Sequence, residues 1–300
     1  MSSQFTHRKI EIQNDVYDGL GKINDDNQFI KNGFGNYYNN TNEDLNEYDA
    51  KYVGYWKDDN KEGLGAVLSK SNGFIVGNYK DDVLSGFGMW FYFNNEIPSS
   101  LDSVKEVFCG EFINGKPYYG VFYCNNDNVL SLSVSSSSFV NESNHYIYIG
   151  KLDTNGKKND MNGYVYDYNT NCVVYGHFVE DKIKECYQLV LDKEKNYDIT
   201  NVVFISFCED YENIKELWHS QAVEIDKKDV LEKVKEYVMN VLIEKFIKNN
   251  IIESLLNNKV GNSFYEIIRT ENKFIGNYET DLKQFYNEIY NLMKFEPFVI

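Results

Sequence analysis

Residues 52–65 read YVGYWKDDNKEGLG, and the same pattern returns 23 residues later as IVGNYKDDVLSGFG at residues 75–88. Glycines and large apolar residues recur at matching positions, which indicates one structural unit built more than once. A third copy begins at Phe108 and reaches Gly120 one residue late, a difference that a bulge can absorb. Partial copies lie before and after these three. The repeat positions are Tyr17, Gly19, Gly33, Gly35, Tyr52, Gly54, Trp56, Gly63, Gly65, Ile75, Gly77, Tyr79, Gly86, Gly88, Phe108, Gly110, Phe112, Gly115, Gly120, Tyr148, Gly150, Gly176 and Phe178.

The spacing inside the repeat predicts a β-hairpin. Tyr52, Gly54 and Trp56 are two residues apart, which places them on one face of a strand. The glycine leaves a gap between two rings, and we expect a ring from the adjacent strand to lie there. Asp58 and Asp59 tolerate left-handed turn conformations. The sequence therefore predicts a mainly β fold, an elongated antiparallel sheet of stacked hairpins.

The repeats also predict how the chain is divided. A lead-in of residues 1–16 precedes a hairpin array over residues 17–195, and a smaller helical region follows at residues 196–300. Of the 20 glycines, 18 precede residue 200, which supports a boundary near that point. The array carries three insertions, at about 36–51, 93–105 and 121–147.

The carboxy-terminal region begins with the apolar run Asn201–Cys208, which is either a last strand or a plug. Helical spacing starts near Asp226 and predicts a helix that stops at the Asn249–Asn250 pair. A second predicted helix contains Phe285 and Ile289 and ends before Pro297. We expect these helices to cap the sheet or to lie across its apolar face. The alternative is a docking arm for another protein or for a second copy of the chain.

Charge and cysteine content narrow the range of partners. The net charge is −16, and Arg8 and Arg269 are the two arginines, so nucleic acid is disfavoured as a partner. Anionic phospholipid is disfavoured by the same net charge. The 5 cysteines are scattered, which favours buried thiols over a disulfide framework.

No apolar leader follows Met1 and no transmembrane segment is predicted, so we expect a cytoplasmic protein.

Two stretches resemble catalytic or metal-binding loops only in part. Residues 110–117 lack the hydroxyl residue of a phosphate-binding loop, because Pro117 occupies that position. Residues 153–164 start like a calcium loop but place Lys157, Lys158 and Tyr164 where ligands or glycine are required. The sequence therefore predicts no catalytic residue, metal or cofactor, and the chain is not expected to be an enzyme.

The pattern Y-x-G-x-W followed by G-x-G, in units of about 23 residues, resembles the MORN (membrane occupation and recognition nexus) repeat. The match is most specific over Tyr52–Gly65 and Ile75–Gly88, and about five or six repeats cover residues 17–190. The resemblance implies a hairpin sheet without catalysis that acts as a scaffold, often at membranes or the cytoskeleton. Some members of that family carry the repeats beside a lipid kinase or methyltransferase domain, and neither domain is recognised here.

Together these patterns predict a non-enzymatic scaffold or adaptor. Its sheet is expected to bind an amphipathic helix or another protein segment at the membrane–cytoskeleton interface. A peripheral phospholipid-binding module and an accessory subunit of a lipid kinase or other enzyme are the alternatives. A homodimer through the sheet ends or the helices is a further expectation. Tyr55, of the opposite strand parity, is expected to be exposed. The candidate partner-binding residues are Tyr55, Trp90, Leu231, Val234, Val238, Phe285 and Ile289.

Overall fold

In the part of the chain that the structure describes, fourteen strands form a single antiparallel sheet in which the spatial order is the chain order. The computed structural model describes residues 5–39, 51–93, 96–125, 145–206, 227–270 and 277–294. The strands are β1 Thr6–Ile12, β2 Asp15–Ile23, β3 Phe29–Asn39, β4 Lys51–Lys57, β5 Asn60–Ser69, β6 Gly73–Lys80, β7 Val83–Tyr92, β8 Glu106–Ile113, β9 Lys116–Asn125, β10 His145–Lys151, β11 Asp160–Asp167, β12 Cys172–Val179, β13 Lys182–Asp192 and β14 Asp198–Ser206. The predicted sheet of stacked hairpins is confirmed.

Both ends of the sheet lie beyond the predicted hairpin array. The lead-in, residues 1–16, contains β1 and the start of β2. The apolar run at Asn201 belongs to a strand, β14, and not to a plug. Most of the insertions expected at 36–51 and 121–147 lies outside the described residues.

Helices follow the sheet. They are α1 Lys227–Tyr237, which continues as a π-helix over Val238–Lys248, then α2 Ile251–Leu256, α3 Lys259–Thr270 and α4 Tyr278–Met293. Short 3₁₀ turns occupy Leu101–Ser103 and Lys193–Lys195. The two predicted helices are confirmed as α1 with its π-helical extension and as α4. No helix in the described part of the chain combines the length and apolar composition needed to cross a bilayer.

Aspartates form the hairpin turns where glycine is absent. Asp58 and Asp59 have φ values of 49° and 68°, and Asp81 and Asp82 have values of 48° and 67°. Two consecutive left-handed residues match the twist of the flanking strands, and aspartate adopts that conformation more readily than most residues. The expected turn role of Asp58 and Asp59 is confirmed.

The two glycines of each G-x-G have different roles. Gly63 and Gly86 have φ values of 89° and 76°, a conformation that favours glycine. They lie beside register shifts in the β4–β5 and β6–β7 pairs, so each marks a bulge. The second glycine, Gly65 or Gly88, pairs directly with a glycine of the preceding strand.

The chain forms two compact units, one with the described residues of 1–117 and 252–294 and the other with those of 118–251. In the first unit, α3 and α4 pack on one face of the sheet, and Gly54 lies on the other face. Phe74 lies 5.3 Å from Tyr265 between ring centroids, and Phe91 lies 6.4 Å from Phe285. These two helices therefore cover an apolar face of the sheet. This agrees with the expectation that the helices cap the sheet or lie across its apolar face, rather than form a docking arm. In the second unit, Tyr237 of α1 packs on Tyr164, with centroids 4.9 Å apart.

Candidate functional site

An unbroken row of paired glycines crosses one face of the sheet in the first unit. Each glycine is the direct cross-strand partner of the next, so the row runs perpendicular to the strands. We call it the glycine row, and the side that carries it the glycine face. The row consists of Gly19, Gly35, Gly54, Gly65, Gly77, Gly88 and Gly110, on strands β2 to β8. In the second unit, Gly120 pairs with Gly150 and Gly163 with Gly176.

Tyrosine rings lie over the glycine pairs at the start of the row, whereas Leu84 lies at Gly77 and Phe112 at Gly88. A Cβ atom added at Gly65 would lie 2.6 Å from Cζ of Tyr52, and one added at Gly35 would lie 2.6 Å from Cζ of Tyr17. Tyr52 also fills the gap at Gly54, so the ring comes from the same strand, two residues earlier, and not from the adjacent strand as expected. A hydrogen bond explains the position, because each hydroxyl donates to the backbone carbonyl three residues further along. These bonds are Tyr17–Leu20 (2.6 Å), Tyr52–Tyr55 (2.9 Å) and, in the second unit, Tyr148–Lys151 (2.7 Å).

The repeat aromatics of successive hairpins pack edge to face. The Trp56 ring lies 5.6 Å from Tyr17 and 5.0 Å from Tyr52, with interplanar angles of 87° and 84°. Tyr52 in turn lies 5.4 Å from Tyr79 at 87°. Such pairs add about 0.5–1.5 kcal/mol each beyond the area that they bury. All four side chains are buried, so their primary role is to hold the hairpins together.

A second row, two residues along each strand from the glycine row, is only partly covered. We call it the apolar row. Its members are Tyr17, Tyr37, Tyr52, Val67, Ile75, Trp90 and Phe108, each paired directly with the next. Tyr37, Val67, Ile75 and Trp90 are half-buried. Trp90, one of the predicted partner-binding residues, therefore lies in a row of the glycine face that has both apolar character and partial exposure.

Turn aspartates link three of the hairpins to an earlier part of the sheet. Asp82 donates its backbone N–H to the Lys61 carbonyl (3.1 Å), and its Oδ1 accepts the Lys61 N–H (2.8 Å). The same reciprocal pair, which we call a turn clamp, joins Asp59 to Lys31 and Asp181 to Lys158. Each clamp joins residues more than 20 positions apart, so the local pattern of the repeat does not predict it.

The lysines of the turn clamps lie over aromatic rings. Lys31 Nζ is 4.3 Å from the centre of the Trp56 ring, and Lys158 Nζ is 4.7 Å from that of Tyr146. Burial lowers the pKa of both Lys31 and Lys158. Lys158 is 1% exposed and its Nζ lies 4.0 Å from Asp181. This ammonium is enclosed by rings and a carboxylate, so the arrangement stabilises the sheet and leaves a substrate no access.

The face opposite the glycine face binds α4 through polar contacts as well as rings. The Tyr55 hydroxyl donates to Glu279, and Lys283 lies 5.3 Å from the Tyr55 ring centre. Asn78 Nδ2 donates to the Tyr286 hydroxyl at 2.8 Å. Tyr55 is half-buried, which corrects the expectation that it is exposed, because α4 lies over that side of the strand.

The remaining predicted partner-binding residues lie on the helices. Phe285 and Ile289 are fully buried in the first unit, as are Val234 and Val238 in the second. Leu231 is half-buried. The structure thus places Tyr55 against α4, through Glu279 and Lys283, and it uses four of the helix side chains as core.

The cysteines described by the structure are buried, as predicted. They are Cys109, Cys124, Cys172 and Cys186, and Cys208 lies outside the described residues. Burial raises the pKa of the Cys186 thiol to about 12, so this thiol is a poor nucleophile at neutral pH. Within the described ranges, no three His, Cys, Asp or Glu side chains lie close enough together to hold a metal ion.

No family model matches this chain, and no curated protein sequence matches it. Its function is therefore inferred from its own residues.

Proposed function

We propose that the chain is a non-enzymatic scaffold of the MORN-repeat type, whose glycine face binds an amphipathic helix of a partner protein. The observation that carries this proposal is the apolar row. Four of its members, Tyr37, Val67, Ile75 and Trp90, are half-buried in the folded chain. A surface of aligned, partly exposed apolar side chains gains free energy when another apolar surface covers it.

The opposite face of the same sheet already binds helices, which supports the inference that the partner segment is a helix. There, α3 and α4 turn apolar side chains such as Phe264 and Phe285 inward, and both are fully buried. The apolar row crosses seven strands, so at about 4.8 Å per strand it extends about 29 Å. That length corresponds to a helix of about 19 residues. The 16 residues of α4 form a helix of similar size, about 24 Å long.

A place at the membrane–cytoskeleton interface belongs to the same proposal and is supported by the repeat resemblance alone. The protein would then act by holding a helical segment of one component near another. A net charge of −16 makes a protein partner a better fit than an anionic bilayer.

The test changes the apolar row without touching the buried rings. Val67 and Ile75 are neighbours in the row and half-buried, so Val67→Lys with Ile75→Lys places two charges where the partner helix would lie. Val83, which is 42% exposed, provides the matched control as Val83→Lys. Proteins from the native cell that bind the wild-type full chain are identified by mass spectrometry and compared between the variants.

We expect a helical partner to be lost from the double variant and retained by the control, with both variants melting close to the wild type. A partner retained equally by all three proteins would exclude the glycine face as its binding surface. Sedimentation with phosphoinositide vesicles separates the lipid alternative, because salt-sensitive binding by the wild type would favour it. An enzyme activity that co-purifies with the chain would favour the accessory-subunit alternative.

A further inference from the structure

Strand β1 forms one edge of the sheet and is solvated on both of its faces. It pairs with β2 over seven positions, and its side chains are exposed except for Ile10, which is half-buried. Ile12 is 68% exposed. A regular edge strand can pair with another strand through the backbone groups that its neighbour does not use.

The turn after β1 determines which backbone groups point outward. Gln13 and Asn14 form a two-residue connection between the paired residues Ile12 and Asp15. The two residues that flank such a turn exchange backbone hydrogen bonds with each other. Along the strand, every second residue then bonds to the same neighbouring strand, and the residues between them direct their N–H and C=O groups to the other side. Ile10 and Ile12 therefore bond to β2, and Lys9 and Glu11 direct their N–H and C=O groups away from the sheet.

This alternation restricts how two copies of β1 can pair. In an antiparallel pair, a residue with outward-facing backbone groups must lie opposite another such residue. If Lys9 were on the two-fold axis, it would oppose Lys9 of the second copy, and Glu11 on the axis would likewise oppose Glu11. Arg8 on the axis would oppose Arg8. Like charges directly opposite each other are unfavourable.

The register with Ile10 on the axis instead makes its charged pairs complementary. With Ile10 on the two-fold axis, Lys9 of each copy lies opposite Glu11 of the other, and Ile10 lies opposite Ile10. Lys9 and Glu11 are both more than half exposed and already form an ion pair within the strand, with Nζ and Oε1 2.7 Å apart. The two copies together would form an alternating network of four charges.

We propose that two copies of this chain associate through their β1 strands in this register. Ile10 pairs with Tyr17, the first member of the apolar row, and therefore lies on the glycine face. A two-fold axis normal to the sheet keeps the same face of both copies on one side. The Ile10 pair thus joins the two apolar rows into one, across a sheet that is continuous between copies. The dimer does not depend on the function proposed above.

The interface is short, so we expect weak association. The fraction of dimer should therefore increase with protein concentration. Sedimentation equilibrium of the full chain, from about 1 µM to about 1 mM, measures its dissociation constant. Lys9→Glu and Glu11→Lys each place two like-charge pairs in the register, and each is expected to weaken dimerisation by about tenfold or more.

Two rescue measurements show whether a variant fails to dimerise because of the charges in this register or because it is misfolded. An equimolar mixture of Lys9→Glu and Glu11→Lys chains restores opposite charges at both positions, so the mixture is expected to dimerise although each variant alone does not. The double variant carrying both changes is expected to dimerise by itself. A wild-type chain that stays monomeric at every concentration would overturn the proposal, as would a dimer indifferent to both single changes.

Cysteine cross-linking tests the position of the axis directly. With Ile10 on the axis and its pair not hydrogen-bonded, Ile10→Cys brings two thiols to a spacing that a disulfide can bridge. We expect Ile10→Cys to form a covalent dimer under mild oxidation and Lys9→Cys not to. Cross-linking of Lys9→Cys instead would overturn the register.

Discussion

Tyr52 lies across Gly54 and Gly65, and its position depends on both glycines lacking a side chain. The Tyr52 hydroxyl donates to the Tyr55 carbonyl at 2.9 Å, and its ring contacts Trp56 and Tyr79 edge to face. The space at Gly54 and Gly65 is therefore filled by a ring. This explains why glycine, which weakens an isolated strand, recurs at these positions.

Gly65→Ala tests that account. The added Cβ would lie 2.6 Å from Cζ of Tyr52, so the ring must move and its hydrogen bond must lengthen. We expect a loss of about 1–3 kcal/mol in the free energy of unfolding, typical of an overpacked core. The measurement is urea unfolding followed by circular dichroism.

Gly86→Ala serves as the matched control for Gly65→Ala. A Cβ at Gly86 would meet no atom within 4 Å, although its φ is +76°, so the cost there is backbone strain of about 1 kcal/mol. An equal or greater cost at Gly86 would show that ring packing over the glycine row contributes little.

The local features of the fold follow from short-range rules that a sequence displays. The two-residue spacing of Tyr52, Gly54 and Trp56 predicts a strand, and the Asp58–Asp59 pair predicts a left-handed turn. Contacts between hairpins do not follow from such rules. The source of the ring at Gly54, the turn clamp from Asp82 to Lys61 and the burial of Tyr55 under α4 depend on which distant segments meet.

The glycine face was predictable in part. Its glycines and buried rings are the repeat positions themselves, whereas the partial exposure of Tyr37, Val67 and Ile75 depends on which distant side chains cover the row. The helix candidates Phe285 and Ile289 show the same limit, because their spacing predicts an apolar stripe without saying what covers it.

The three turn clamps make the hairpins that carry them depend on an earlier part of the sheet. Asp82→Ala removes the acceptor for the Lys61 N–H, which lies 2.8 Å from Oδ1, and places alanine at a φ of 67°. We expect a loss of about 1–2 kcal/mol from these two effects. Thermal or urea unfolding of the full chain measures it.

Asp82→Asn distinguishes the clamp from a charge effect. Asparagine keeps an oxygen acceptor and adopts the left-handed conformation readily, so this variant is expected to unfold within about 0.5 kcal/mol of the wild type. If Asp82→Asn costs as much as Asp82→Ala, the carboxylate charge, and not the hydrogen bond, carries the contribution.

Helix α4 is bound to the sheet chiefly through its buried side chains. Phe285 is fully buried, lies 6.4 Å from Phe91 between centroids and packs against Gly261 of α3. We expect Phe285→Ala to cost about 3–5 kcal/mol by leaving a cavity between α3, α4 and the sheet. Differential scanning calorimetry of the full chain measures the change.

The exposed neighbour Gln284 provides the control for Phe285. Gln284→Ala changes the adjacent, solvent-facing position of the same helix, so its effect is expected to stay within about 0.5 kcal/mol. A small effect at Phe285 as well would indicate that α4 is held by its polar contacts, such as Asn78 to Tyr286, rather than by its apolar side.

Many of the aromatic side chains of the molecule are buried. Of its 25 tyrosines, many line the rows or the helix contacts, and burial is the largest cause that raises the pKa of Tyr52, Tyr79, Tyr148 and Tyr164. Burial also raises the pKa of Tyr119 and Tyr175 to about 12. Every one of these phenols is neutral when the sheet is folded at neutral pH.

This burial predicts a cooperative alkaline transition. In the unfolded chain, tyrosine loses its proton near pH 10, whereas in the folded sheet burial retains it to higher pH. The folded chain therefore binds more protons above pH 10, so its stability is fully present below that pH and falls as pH rises toward about 12. We expect tyrosinate absorbance at about 295 nm to appear together with loss of the β-sheet circular dichroism signal. Ionisation of most tyrosines by pH 11 with the sheet signal intact would mean that the rings are accessible to solvent in the folded chain.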